Sequence, residues 1–293
     1  MRLLARAYAK VNPCLDVLAK KEDGYHEIDY ILQSISLFDE LFFEEAAGLS
    51  LEPEGRRVPI EGNLVLRAAA LLRGEAGTKK GARIRLRKQI PIEAGLGGGS
   101  ADAAAALCAL NLLWGLKLPP AALHELAARL GADVPFCLRG GTARARGIGT
   151  DLEFFTPREE LSFVLVKPKE GLLTKAVFAA WDGLRNPRHP MVGRARNALI
   201  EGDFEAFAGA MGNGLEEAAQ GLCPGVGRAL LALRKAGARG AAMSGSGSAV
   251  LGLFDGQAEA ERAAALCGDV GESFAVQTRA RGLEIEECEG ESG

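Results

Sequence analysis

The chain has 293 residues, of which 48% are hydrophobic and 25% charged, an ordinary balance for a soluble globular protein. At roughly 150 residues per domain the length suggests about two domains, each able to bury a core without disulfides or metal. A net charge of −3 argues against a general nucleic-acid binder, although a local cluster of donors can still hold an anion.

The first forty-odd residues alternate like strands, from Leu3 to Val11, from Leu15 to Leu18 and from Ile31 to Phe43, with a hairpin signal at Asp23-Gly24. Glu52 to Gly62 reads as a Pro/Gly-rich loop. Asn63 is placed to cap a helix that Gly74 stops, and Ala82 to Lys88 alternates apolar and basic residues as a half-exposed strand does. A glycine-rich segment then leads into an Ala/Leu helix running to about Trp114, and Pro119-Pro120 opens another that ends at Gly131. A short strand is expected at Thr142 to Arg146 and a buried one from Ser162 to Lys167, with a domain boundary near Thr156-Pro157. This division gives segments 1–156 and 157–293. The second is mostly helical to Arg234. Two strand-like runs then flank Met243 to Ser248, a helix is expected near Gln257 to Leu266, a strand near Phe274 to Thr278, and a frayed acidic tail from Glu284 to Gly293. No internal repeat is present.

The six cysteines, Cys14, Cys108, Cys137, Cys223, Cys267 and Cys288, form no C-x-x-C pair, and His26, His124 and His189 are dispersed. Zinc-ribbon, thioredoxin and His-rich metal readings therefore fail. No apolar h-region precedes Lys10, and the longest apolar run, Ala103 to Leu110, is too short to span a bilayer. These features lead to the expectation of a cytoplasmic chain with reduced thiols and no membrane partner.

The segment Gly95-Leu96-Gly97-Gly98-Gly99-Ser100 stands between a predicted strand and a predicted helix. Consecutive glycines let backbone N–H groups approach a ligand, and the helix start adds unpaired donors and the positive dipole end. Together they make a polyphosphate cradle. It is not a Walker A loop, because the chain contains no Gly-Lys dipeptide. It is not G-x-G-x-x-G either, because Ser100 stands where the last glycine belongs, which also weakens a protein-kinase reading.

The stretch from Pro91 to Ala101 resembles the nucleotide loop of the GHMP kinase superfamily of small-molecule kinases. Three further segments narrow the resemblance: Ala9-Lys10-Val11-Asn12, then Asp23-Gly24-Tyr25-His26 with Gln33-Ser34, then Gly131-Ala132-Asp133-Val134-Pro135. In order and spacing they are similar to the 4-diphosphocytidyl-2-C-methylerythritol kinase family of the non-mevalonate isoprenoid pathway. The likeness extends through Asn63 and Ser244 to Ser248, nearly the whole chain. It implies an α/β (α+β) protein with the two-domain GHMP kinase fold, ATP and substrate lying in the inter-domain cleft.

The resemblance also implies roles. ATP would lie along Pro91, Ile92, Glu93, Ala94, Gly95, Leu96, Gly97, Gly98, Gly99, Ser100 and Ala101, with Asn63 and Lys88 near the adenine and Ser100 able to donate to phosphate or help place Mg²⁺, directly or through water. A helix cap and a strand-end lysine explain Asn63 and Lys88 equally well. Asp133 is the candidate general base and Lys10 its orienting cation; on the residues alone, a turn aspartate and an edge-strand lysine serve as well. Asn12, Tyr25, His26, Thr174 and Phe178 form the substrate set, with the aromatics suited to a cytosine; periodicity alone makes Phe178 helix core. Two departures stand out: Glu93 and Ala94 occupy positions where the family often has glycine, and Leu32 replaces an aromatic expected at the nucleobase pocket. The alternatives are a homoserine or mevalonate kinase, against which the Asp-Gly-Tyr-His segment argues, and an RNA-binding module, against which the charge argues. The partners expected are ATP and one small molecule, with the chain a monomer or weak homodimer.

Overall fold

The computed structural model describes residues 1–56 and 58–288. In chain order its elements are β1 (Arg2–Val11), β2 (Cys14–Lys20), β3 (His26–Ala46), β4 (Leu49–Gly55), α1 (Leu64–Glu75), β5 (Gly81–Lys88), α2 (Gly98–Leu113), α3 (Pro120–Leu130), α4 (Val134–Arg139), β6 (Thr142–Gly147) and β7 (Asp151–Phe155). There follow β8 (Ser162–Pro168), α5 (Thr174–Trp181), α6 (Val192–Glu201), α7 (Phe204–Ala210), β9 (Gly212–Asn213), α8 (Glu216–Leu222), α9 (Pro224–Lys235), β10 (Gly240–Met243), β11 (Val250–Phe254), α10 (Gln257–Cys267), β12 (Gly271–Gln277) and β13 (Leu283–Cys288).

The long strand β3 organises the first sheet. Its first half pairs with β2 and β6, and its second half with β5 and β1. Helix α2 lies against β1 and α1. Its alanines 101, 103–106 and 109 are buried, and so many small side chains let the helix approach the sheet closely. The second sheet is antiparallel, in the order β10-β11-β8-β12. Two strands from the second half, β9 and β13, pair with β2 and β1 of the first sheet, so the chain crosses back twice. Among the described residues no helix is long and apolar enough to cross a membrane.

Local expectations need three corrections. The expected loop at 52–62 is strand as far as Gly55, because β4 pairs with β5 in parallel. Helix α1 passes through Gly74 and ends at Glu75, capped at Ala76. The acidic tail is not frayed up to Cys288: residues 283–288 form β13, whose register brings Glu284 opposite Arg6. Residues 289–293 of that tail lie outside the described residues.

Candidate active site

Gly97, the residue before α2, has φ 67 and supplies no side-chain cap. The first N–H groups of α2 are thus left for an incoming acceptor. The loop before it is locked to the second domain. Ser244 Oγ donates to the Gly95 carbonyl at 3.0 Å and accepts from the Asn12 N–H at 3.2 Å. Gly95 has φ 73, and a Cβ added there would lie 2.1 Å from the Ser244 carbonyl oxygen. Gly95→Ala is therefore expected to lower stability by about 1–3 kcal/mol, from backbone strain together with the clash. Denaturant unfolding checks this, and an unchanged midpoint would mean that the two loops are not interlocked.

Three hollows adjoin one another along the inter-domain cleft. The first, about 360 Å³, lies over the glycine loop and is lined by Pro91 through Ser100 with Asn63 at its edge. The second, about 200 Å³, is a neck lined by Lys10, Asn12, Gly95, Gly97, Asp133, Thr174 and Phe178. The third, about 900 Å³, is lined by Tyr25, His26, Tyr30, Ser100, Asp133, Thr174, Phe178 and Asp182. Gly95 and Gly97 border the first and second, and Asp133 borders the second and third.

Lys10 and Asp133 meet at the neck. Lys10 Nζ stands 3.5 Å from Asp133 Oδ2 and donates to Asn12 Oδ1 at 2.8 Å, with its side chain only 7% exposed. The Lys10 backbone N–H donates to the Leu96 carbonyl at 2.9 Å, which ties β1 to the glycine loop. Asp133 sits at the start of α4, yet its side chain makes no capping hydrogen bond. A helix-start aspartate normally caps; here the carboxylate is directed at the cleft instead.

In the large hollow, the rings of His26 and Phe178 pack against each other with centroids 4.7 Å apart and planes tilted by 32°. Asp182, just beyond α5, accepts from Lys20 Nζ at 2.5 Å and lies 2.6 Å from His26 Nε2. The Lys20 ammonium, then the His26 ring, hold the Asp182 carboxyl below the usual carboxylate range. Tyr25 stands at the rim, 65% exposed. Thr174 Oγ1 meets Ser246 Oγ at 2.8 Å.

Other expected residues are engaged in the fold itself. Ala101 faces the core rather than the loop hollow. Asn63 is a helix cap: its Oδ1 accepts from the Val65 N–H and its Nδ2 donates to the Pro59 carbonyl. Lys88 reaches the floor of the first hollow, but its ammonium is bound to Asp39 and Asp102. Leu32 is fully buried in the core and lines none of the three hollows, so it does not border the cleft as expected. Glu93 has φ 52, a region where glycine is the easy choice, and a Cβ added at Gly171 would come within 2.5 Å of its Oε2. Its carboxylate thus leans on the second domain.

Asp182, Asp39 and Asp102 were given no role from the sequence, and Ser244 entered only as the start of the matched segment Ser244 to Ser248. Asp182 carried a usable signal, because it follows Phe178 by four residues and so shares its helix face. The others carried none, since their partners lie far away in the chain.

Comparison with known proteins gives the family. Residues 63–141 match the model of the GHMP kinases N terminal domain, and residues 195–270 that of the GHMP kinases C terminal domain. The chain is 49% identical over 256 residues to a 4-diphosphocytidyl-2-C-methyl-D-erythritol kinase of Pelotomaculum thermopropionicum, covering 86% of this chain and 89% of that one. Its identity to the protein of the same name from Moorella thermoacetica is 45% over 253 residues, 84% and 88% of the two chains. A crystal structure of 4-(cytidine 5'-diphospho)-2C-methyl-D-erythritol kinase superposes with a TM-score of 0.81 at 37% identity, covering 94% of this chain and 98% of the other. A homoserine kinase structure from Cytophaga hutchinsonii, with a TM-score of 0.74 at 20% identity and coverage of 97% of each chain, shares the fold alone.

Proposed function

The chain belongs to the GHMP kinases, among the 4-diphosphocytidyl-2-C-methyl-D-erythritol kinases, and from that premise we propose how its cleft carries out the transfer. It is an ATP-dependent small-molecule kinase. It phosphorylates the 2-hydroxyl of 4-diphosphocytidyl-2-C-methyl-D-erythritol, giving the 2-phosphate and ADP, in isoprenoid precursor biosynthesis.

The order of the three hollows carries the mechanism. The polyphosphate lies over Gly95 to Ser100, and the cytidyl moiety occupies the aromatic hollow. The acceptor hydroxyl and the γ-phosphorus then meet in the neck, where Asp133 and Lys10 stand. Asp133 takes the hydroxyl proton as the oxygen bonds to phosphorus. The bond to the bridging oxygen breaks, and its electron pair leaves with ADP. Lys10 keeps the Asp133 carboxylate aimed and sits beside the charge that develops on the equatorial oxygens. Asn12 holds the Lys10 ammonium in place.

Among the described residues no group of three or more His, Cys, Asp or Glu side chains gathers as a metal site. Mg²⁺ that arrives on phosphate oxygens would need few protein ligands. Ser100, which borders both the loop hollow and the large hollow, is the side chain that would hold it, and the ion would neutralise phosphate charge. One chain supplies every residue named, so a monomer suffices.

The test is ADP release with each acceptor supplied. Release stimulated by the diphosphocytidyl compound and not by homoserine or mevalonate is expected; stimulation by either of those alone would overturn the assignment. The nucleobase part has its own test. Tyr25 is too exposed to support the core, so Tyr25→Ala reports on ligand contact. Stacking contributes ~1–3 kcal/mol per base, measured in nucleic-acid complexes, so the substrate Kd is expected to rise roughly ten-fold. Calorimetry should show the Kd for ATP unchanged. Equal weakening of both ligands would mean that Tyr25 does not read the base.

A further inference from the structure

Below the glycine loop lies a buried charged cluster that touches no hollow reserved for the acceptor. Lys88 closes β5, and its side chain is 4% exposed. Its Nζ donates to Asp39 Oδ2 at 2.5 Å and to Asp102 Oδ2 at 2.6 Å. Asp39, on β3, is wholly buried, and its other oxygen accepts from the backbone N–H groups of Gln89 at 2.6 Å and Ile90 at 2.9 Å. Asp102 belongs to the second turn of α2. Its Oδ1 is buried with no hydrogen-bond partner among the described residues.

The positions matter more than the pairings. Gln89 and Ile90 begin the nucleotide loop, and α2 ends it. One ammonium therefore binds both ends of the loop, through Asp39 at its start and Asp102 at its finish. It also lies directly beneath the loop's last turn, since a Cβ added at Gly98 would stand 2.9 Å from Lys88 Nζ. Between these ends the backbone is loose by composition, with Gly95 and Gly97 at positive φ. Such a segment would otherwise be ordered at the expense of ligand affinity.

We infer that Lys88, Asp39 and Asp102 act as a clasp that orders the nucleotide loop before ATP arrives. Lys88 is then a positioning residue and not a phosphate ligand. Charge supports the distinction. With two carboxylates on one ammonium the cluster has no net positive charge to offer a phosphate. Burial lifts the Asp102 carboxyl well above the ordinary carboxylate range against the pull of Lys88, with Asp39 adding to the rise. Burial also works against the charged form of Lys88, but the two carboxylates outweigh it and raise its pKa.

The inference rests on the loop's role as the ATP cradle, and the experiment separates the two. Amide hydrogen exchange of residues 95–100 is measured first without any ligand. Asp102→Leu cuts the clasp at the helix and leaves Lys88 paired with Asp39, so the buried ammonium keeps a counter-charge. It is expected to speed loop exchange and raise the Kd for ATP ~10-fold, with the Kd for the diphosphocytidyl compound unchanged. Asp102→Asn still accepts from Lys88 and should return both readings to within about two-fold of wild type. Lys88→Met should match or exceed the Asp102→Leu effect. Unchanged loop exchange in Asp102→Leu and Lys88→Met would overturn the clasp. So would weaker ATP binding by Lys88→Met without faster exchange, which would make Lys88 a direct ligand. Failure of the wild type to bind ATP would instead remove the functional reading, while the exchange data would still report on the clasp.

Discussion

Asp133→Asn is expected to lower kcat by ~10²–10⁴ with little change in the Kd of either ligand. The size follows from the chemistry: the amide keeps the shape and some hydrogen bonding but cannot take a proton. What remains is positioning over the glycine loop and the Lys10 charge, which are not abolished. The structure makes this a clean substitution. The Asp133 side chain makes no capping hydrogen bond, so α4 loses nothing when the carboxylate goes. Among the described residues its one ion-pair partner is Lys10 at 3.5 Å, and an asparagine oxygen can still face that ammonium. Single-turnover measurements separate chemistry from product release and give the loss directly. Turnover within a few-fold of wild type would leave Asp133 as a turn residue and remove the proposed base.

How much of this was legible in the sequence depends on the range over which each feature is decided. The glycine loop was legible because backbone chemistry is local: Gly95, Gly97 and Gly98 stand where a Cβ would meet a neighbour within 3 Å. Asn63 was legible as a cap for the same reason, because it needs only the N–H of Val65 two residues on. The pairing of Lys10 with Asp133 was not local. It needs β1 to run beside the start of α4, and only the resemblance suggested it. Lys88 shows the opposite failure. A lysine at the end of an exposed basic strand gave no sign of two buried carboxylates, since Asp39 lies 49 positions away and Asp102 lies on the hidden face of an alanine helix. Leu32 was misplaced because a strand residue's face is fixed by pairing. Opposite Ala143, it points into the core. The tail failed for a related reason: an acidic end reads as solvated until a strand with Arg2 and Arg6 is placed alongside it.

Lys10→Met is expected to lower kcat by ~10²–10³, about the loss seen when one preorganised donor is removed from a transition state. Methionine keeps most of the stem, which matters because a Cβ added at Gly97 would come within 2.8 Å of Lys10 Cγ. The loop therefore keeps its contact with β1, and the Lys10 N–H bond to the Leu96 carbonyl is a backbone bond that the substitution leaves alone. Asn12 Oδ1 loses its donor in a buried site, so a stability loss of about 1–3 kcal/mol should accompany the kinetic one. Lys10→Arg is not expected to restore turnover, because a planar fork cannot replace a point charge held between Asn12 and Asp133 in so narrow a neck. The decisive measurement is the double variant Lys10→Met/Asp133→Asn. If Lys10 acts by aiming Asp133 and by neutralising charge at the same oxygens, the two losses overlap. The double variant should then be little slower than the slower single one. Strict multiplication of the two losses would mean that the residues act independently, and that Lys10 stabilises the phosphoryl oxygens without orienting the base.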